Sequence, residues 1–237
     1  MLTTGFFENA SGGNVAKWAY SSRKGGNSIA PYESLNLATH VGDSSIAVAF
    51  NRSSVLTEFG YKDATWPGPV HGTDIGLVEN SSGMFPEVDG LITKRRENVL
   101  TTMGADCVPL IAVEVEKKIA LTAHIGWKGA ADSIHESILD AITGLGGDLK
   151  NTKIILGPAI CGKCYKVPEE RIAEVSKVLP AAKSDSGLDI RLGLQGAFRP
   201  LVQSVEILGD CTYESPEFFS HRRDGVTGRQ AAFVVLL

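Results

Sequence analysis

The sequence predicts an α/β protein with helices on both sides of a mixed β-sheet. Three observations carry that expectation. Apolar runs of strand length recur over residues 99–103, 108–114 and 118–124. Ile134, Ile138, Ala141, Ile142 and Leu145 recur at helical spacing. The 26 glycines are spread along the chain rather than gathered in a linker, which suits a loop-rich α/β domain.

Taken in chain order, residues 13–22 read as an early strand. Asp43-Ser44-Ser45 caps a helix that runs to Phe59 and stops at Gly60. The runs 108–114 and 118–124 form a hairpin turning near Glu116-Lys117, and an amphipathic helix follows over 129–145. Residues 153–156 are a short buried strand. Pro168 opens a helix whose first turn holds Glu169 and Glu170 and which reaches Leu179. A helix over 191–204 and strands over 205–208 and 230–237 complete the chain.

At 237 residues with 43% hydrophobic content, the chain is long enough for one large domain, and residues 1–237 are expected to form a single catalytic domain. The net charge is −4 and no basic block is present, so binding to nucleic acid or to a membrane surface is not expected. No apolar run approaches the roughly 20 residues that span a bilayer, and the start lacks the pattern of a signal peptide. The expected location is the cytoplasm. Four cysteines are too few to staple a chain of this length and read as thiols or metal ligands.

The chemistry concentrates in three places. His71 lies in Val70-His71-Gly72, Cys107 in Ala105-Asp106-Cys107-Val108-Pro109, and His124 in Thr122-Ala123-His124-Ile125-Gly126-Trp127. Two imidazoles and a thiol are a zinc ligand set of the catalytic kind, with the fourth position left for water. The spacing contains no short zinc signature, and a buried thiol with two satisfied loop histidines fits it as well. The same residues also allow metal-free chemistry, with Cys107 as nucleophile and His124 or His71 as base. Asp106 is the carboxylate placed by sequence to move a proton, and a structural aspartate at a strand end fits it as well. Trp127-Lys128-Gly129 opens the 129–145 helix, whose N-terminal N–H groups suit an anion such as phosphate, with Lys128 as an added cation. Arg52 is a candidate for substrate binding or a residue of the solvated helix face, and Arg222-Arg223-Asp224 with Arg229 either binds a carboxylate or phosphate or pairs internally around Asp224. Cys161-Gly162-Lys163-Cys164 is a Cys-x-x-Cys pair without a second such pair, which favours turn thiols. His40, His135 and His221 read as structural or surface histidines.

A longer set of motifs is met in order. It includes Gly25-Gly26, Ser34-Leu35-Asn36-Leu37, His40-Val41-Gly42-Asp43, Asn51-Arg52 and Val70-His71-Gly72. Asp89-Gly90-Leu91-Ile92-Thr93, Asp106-Cys107, His124-x-Gly126-Trp127, Gly157-Pro158 and Ser220-His221-Arg222-Arg223-Asp224 through Thr227-Gly228-Arg229 follow. On these residues the chain resembles the YfiH-type proteins, which carry the names laccase-domain protein, polyphenol oxidase, purine nucleoside phosphorylase and peptidoglycan editing factor. The resemblance covers nearly the whole chain. It implies a three-layer α/β/α sandwich with a mixed β-sheet, distantly similar to the catalytic domain of the cytotoxic necrotizing factor toxins. It implies one zinc on His71, Cys107 and His124, with copper able to take its place.

The resemblance favours phosphorolysis of adenosine, inosine or methylthioadenosine, with adenosine deamination as a related activity. A purine nucleoside and phosphate are then the partners of a monomer or weak homodimer. The alternative is a zinc- or Cys/His-dependent amidase that edits a peptidoglycan precursor. A true multicopper oxidase needs several histidine-rich copper sites, and this chain has five histidines in all; only weak copper-dependent polyphenol oxidation is expected. The chain departs from the family pattern at Pro69, where glutamine is usual, and at Lys128, where arginine is usual. Arginine and lysine do not exchange freely at a bidentate site.

Overall fold

The structure, a computed structural model, describes residues 1–79 and 83–237. Its β-layer is two sheets thick. The first sheet runs in the order β1 (Leu2–Glu8), β2 (Asn14–Ser21), β12 (Gln230–Leu236), β7 (Leu100–Gly104), β3 (Thr65–Pro67) and β5 (Gly83–Phe85). The second runs β11 (Ser204–Ile207), β10 (Thr152–Leu156), β8 (Val108–Glu114), β9 (Ile119–Ile125), β6 (Gly90–Thr93) and β4 (Ile75–Leu77). Both are mixed: β3 is parallel to β5 and β7, β10 to β11, and β4 to β6, whereas the remaining pairs are antiparallel.

The α/β class expected from the sequence is therefore present, with helices outside and strands inside. The doubled sheet follows from strands that are apolar on both faces. In β8, Ile111 and Val113 face the other sheet, where Tyr20, Leu100 and Val234 meet them. Leu110 and Ala112 alternate with them and face the helices α3 (Ile134–Gly144) and α5 (Ile190–Phe198). In β12, Ala232 and Val234 face inward, while Phe233 and Val235 pack under α1 (Ser45–Phe59) through Val55, Leu56 and Phe59. A strand buried on both faces reads as a continuous apolar run, not an alternation.

The α1 boundaries match the sequence signals. Ser44 Oγ accepts from the N–H of Ala47, and Gly60 adopts φ 95° at the other end. The helix expected over 129–145 is interrupted. A short α2 (Trp127–Ala131) ends at Asp132, Ser133 sits in the left-handed region at φ 64°, and α3 starts afresh. Ile134, Ile138 and Ile142 keep the buried stripe that the periodicity showed. The helix expected to reach 204 stops at Phe198, because Pro200 has no N–H to continue the ladder. α4 (Glu169–Val178) follows Pro168 as expected. The strands β1, β3, β4, β5 and β6 were not anticipated; most are three or four residues long, and several contain Gly or Pro, so no run of strand length marks them. No helix among the described residues is long and apolar enough to cross a membrane.

Candidate active site

The β8–β9 hairpin sets the site. Its register pairs Val108 with Ile125 and Pro109 with His124. Cys107, immediately before β8, therefore meets the end of β9, where His124 and Gly126 lie. His71 arrives from the loop after β3. The three ligand atoms lie within 4.8 Å of one another, with His71 exposed, Cys107 half-buried and His124 only 5% exposed. The two imidazole rings stand nearly perpendicular, 4.8 Å apart.

Asp89, fully buried before β6, organises this group. Its carboxylate accepts from the backbone N–H groups of Val70 (3.1 Å), His71 (3.0 Å) and Gly72 (2.7 Å), and lies 2.9 Å from Nδ1 of His124. One carboxylate thus fixes the His71 loop and orients the His124 ring, leaving Nε2 to face Cys107. His71 itself has φ 61° and Asp106 φ 91°, conformations that non-glycine residues adopt only when the surroundings impose them. Gly126 completes the fit: a Cβ there would lie 2.8 Å from Cδ2 of His71 and 3.3 Å from Sγ of Cys107. Its bareness makes room for the ligand set, rather than for substrate alone.

The electrostatics suit a cation. Burial opposes the Cys107 thiolate, but the charge of His124 and hydrogen bonds from His124 and His71 outweigh it and bring the thiol down to about 6. Burial likewise opposes the His124 cation, and Cys107 together with Asp89 raises it to about 9. Without metal the pair is a thiolate and an imidazolium; a dication on the same atoms replaces the imidazolium proton. Two imidazoles and a thiolate, three protein ligands in an open cleft, fit zinc in its catalytic coordination.

Two lobes flank Cys107. One, of about 260 Å³, is walled by Trp127, Ile160, Tyr165 and Ile190, with Arg171 and Arg222 stacked on Trp127 and Tyr165. The other, of about 310 Å³, is bounded by His40, Pro69, Met103, His124 and Arg229. His71, Cys107 and His221 border both.

The other residues singled out by sequence are placed unevenly. Asp106 borders the first lobe, but its carboxylate is engaged by the Thr212 hydroxyl (2.6 Å) and the Arg222 N–H (2.7 Å), the bonds of a loop anchor. Arg222 is at the rim, where its guanidinium donates to the Lys166 carbonyl. Arg223, not Arg222, takes the ion pair with Asp224 and donates to the carbonyls of Thr212, Ser215 and Phe218. Two other residues expected to contact substrate, Arg52 and Lys128, line neither lobe. Arg52 stacks 3.9 Å over Trp66 and donates to the Leu37 carbonyl, behind the cleft wall formed by Met103. Lys128 is exposed on the five-residue α2, whose start at Gly126 and Trp127 borders the first lobe. Sequence reasoning missed the places of Asp89 and His40, although both stand in the motifs that carried the resemblance, whereas Arg229 was among the arginines it singled out for an anion.

The sequence matches the family described as multi-copper polyphenol oxidoreductase laccase over residues 17–237. The chain belongs to this family. Relatives within reach of this laccase-like family bear another name. The purine nucleoside phosphorylase of Streptomyces coelicolor is 37% identical over 94% of this chain and 96% of its own length. That of Mycobacterium tuberculosis is 34% identical over 90% and 89%. Among solved structures, the Bacillus licheniformis protein YfiH superposes with a TM-score of 0.87 at 28% identity, covering 94% of this chain and 93% of that one. YlmD of Geobacillus stearothermophilus does so with a TM-score of 0.82 at 30% identity, over 93% and 92%. The YfiH-type resemblance read from the motifs therefore holds for both fold and family.

Proposed function

We propose that this protein is a zinc-dependent purine nucleoside phosphorylase acting on adenosine, inosine or methylthioadenosine in the cytoplasm, with residues 1–237 as one catalytic domain. The observation that carries the reading is the His71–Cys107–His124 group set between an aromatic lobe, which also holds Arg171 and Arg222, and a second lobe that holds His40 and Arg229. The names of the 37% and 34% identical relatives support the same substrate class.

His71, Cys107 and His124 hold the zinc, and copper fits the same donors. When bound, zinc supplies a Lewis acid beside the reacting centre. The Trp127–Arg171 and Tyr165–Arg222 stacks wall the space for the purine. Arg229 offers the charge for phosphate, and His40, whose cation burial and Arg229 disfavour, offers a neutral imidazole as hydrogen-bond partner. A phosphate oxygen bonds to C1′ of the ribose as the C1′–N bond breaks; the electron pair leaves with the purine, and the proton carried by phosphate ends on the base. Asp106, anchored by Thr212 and Arg222, keeps the Cys107 loop in place. Adenosine deamination in the same cleft is the accompanying activity. With five histidines the chain is too poor in imidazole for a multicopper cluster, which leaves only weak copper-dependent oxidation for the family's laccase name.

A second reading rests on one observation: Cys107, His124 and Asp89 line up as nucleophile, base and orienting carboxylate. In that reading the protein is an amidase that edits a peptidoglycan precursor through an acyl-Cys107 intermediate.

Chromatography of adenosine incubations with and without phosphate separates these. Adenine and ribose 1-phosphate formed only with phosphate are expected. Adenine released equally without phosphate sinks phosphorolysis, and inosine in both reports deamination. An aminoacyl cell-wall precursor that acylates Cys107 supports the amidase.

A further inference from the structure

A second cluster of metal-ligating side chains lies behind one wall of the cleft. Cys161, Cys164, Cys211 and Glu214 each bring one donor atom to within 4.8 Å of all the others. Two tight turns make the cluster. In Cys161-Gly162-Lys163-Cys164 the N–H groups of Cys164 and Tyr165 close onto the Cys161 carbonyl, at 3.0 and 2.9 Å. In Cys211-Thr212-Tyr213-Glu214 the Ser215 N–H closes onto the Cys211 carbonyl at 2.9 Å. The turns are docked on each other: Cys161 N–H donates to Cys211 Sγ at 3.3 Å, and Thr212 N–H donates to the Ala159 carbonyl at 3.2 Å. The N–H groups of Tyr213 and Glu214 also face the Cys211 sulfur.

Each turn thus presents donors at positions one and four, the spacing of structural zinc sites. Tetrahedral ligands around zinc, with Zn–S bonds of about 2.3 Å, lie about 3.8 Å from one another, within the span observed. All three cysteines are free. Backbone N–H groups aimed at a sulfur favour its thiolate, the form that binds metal. Lys163 Nζ, 3.4 Å from one Glu214 oxygen, offsets part of the negative charge.

We propose that Cys161, Cys164, Cys211 and Glu214 form a second, structural site for a thiophilic divalent cation, zinc before others. The two centres differ in kind. The cleft has three protein ligands and an open position, whereas this cluster has four ligands and is closed. Its cation ties together two turns that serve the cleft. The first leads into Tyr165, which lines the aromatic lobe; the second holds Thr212, whose hydroxyl anchors Asp106. Cys-x-x-Cys alone left the set half complete, and Cys211 with Glu214 supplies the other half.

Metal analysis of protein purified in zinc and reductant tests the site. About two zinc ions per chain are expected in the wild type, about one in Cys107→Ala, about one in Cys164→Ser and none in the double variant. Cobalt added to metal-free Cys107→Ala is expected to give strong thiolate charge-transfer absorption and tetrahedral visible bands, both weakened in Cys107→Ala combined with Glu214→Gln. The proposal is overturned if Cys107→Ala retains no zinc and gives no cobalt–thiolate absorption. A Cys161–Cys164 disulfide in protein handled under reductant overturns it equally. Because the Cys107→Ala measurements leave the cluster intact, they decide the question even if Cys164→Ser does not fold.

Discussion

The Asp89 carboxylate lies 2.9 Å from Nδ1 of His124 and 3.0 Å from the backbone nitrogen of His71, so one buried side chain sets two members of the ligand group. Burial opposes its ionisation, yet the His124 contact and the N–H groups of Gly72 and Val70 hold its carboxyl below the usual range. Asp89→Asn keeps the shape but turns a donor toward donors. We expect zinc affinity at the cleft to fall about 10–100-fold, as for other partners of metal-bound histidines. Chelator competition checks this; unchanged affinity would remove Asp89 from the role.

Cys107 should behave as an unusually acidic thiol once metal is stripped. Its thiolate forms as pH rises through about 6, against roughly 8.5 for an ordinary cysteine. Alkylation by iodoacetamide is therefore expected to be slow below that pH and to reach half its maximal rate near it. A midpoint near the ordinary value would mean that His124 and His71 do not stabilise the thiolate.

Gly126→Ala should damage the ligand set more than the fold. Its Cβ would press on Cδ2 of His71 and Sγ of Cys107. We expect zinc at the cleft to be lost or greatly weakened while circular dichroism is retained. Full zinc retention at wild-type affinity would show that the two side chains can move aside without cost.

The lobes should separate in steady-state kinetics. Tyr165→Ala removes a face of the aromatic lobe and is expected to raise KM for the nucleoside. Arg229→Ala is expected to raise KM for phosphate instead. Equal effects of both variants on both substrates would contradict the division of the cleft. Arg52→Ala, behind Met103, should leave both KM values nearly unchanged.

Phe233→Ala should destabilise the protein by about 3–5 kcal/mol. The ring is fully buried between Phe59 and Trp66, where α1 meets the first sheet. Urea denaturation measures it. A loss below about 1 kcal/mol would mean that the layer collapses to fill the space.

Much of this architecture was legible along the chain. The run over 108–114 and the turn at Glu116-Lys117 marked the hairpin, and Ser44 with Gly60 marked both ends of α1. His71, Cys107 and His124 stood out because polar side chains at the ends of apolar runs need a reason to be there. Residues 129–145 misled because Ile134, Ile138 and Ile142 keep their period regardless of the left-handed turn at Ser133. Arg52 and Lys128 stood out by charge, which is visible in a sequence, whereas only the structure shows that neither lines the two lobes.

The sequence by itself determined the α/β class, the family and the trio His71, Cys107 and His124, because periodicity and ordered motifs are local properties. Only the tertiary structure decided that the strands form two sheets face to face, since a strand apolar on both sides does not say what covers each. It alone placed Asp89 behind His124, His40 and Arg229 beside Cys107, and Cys211 and Glu214 against Cys161 and Cys164. Those are meetings of distant segments, set by strand register and loop docking, and no local pattern encodes them.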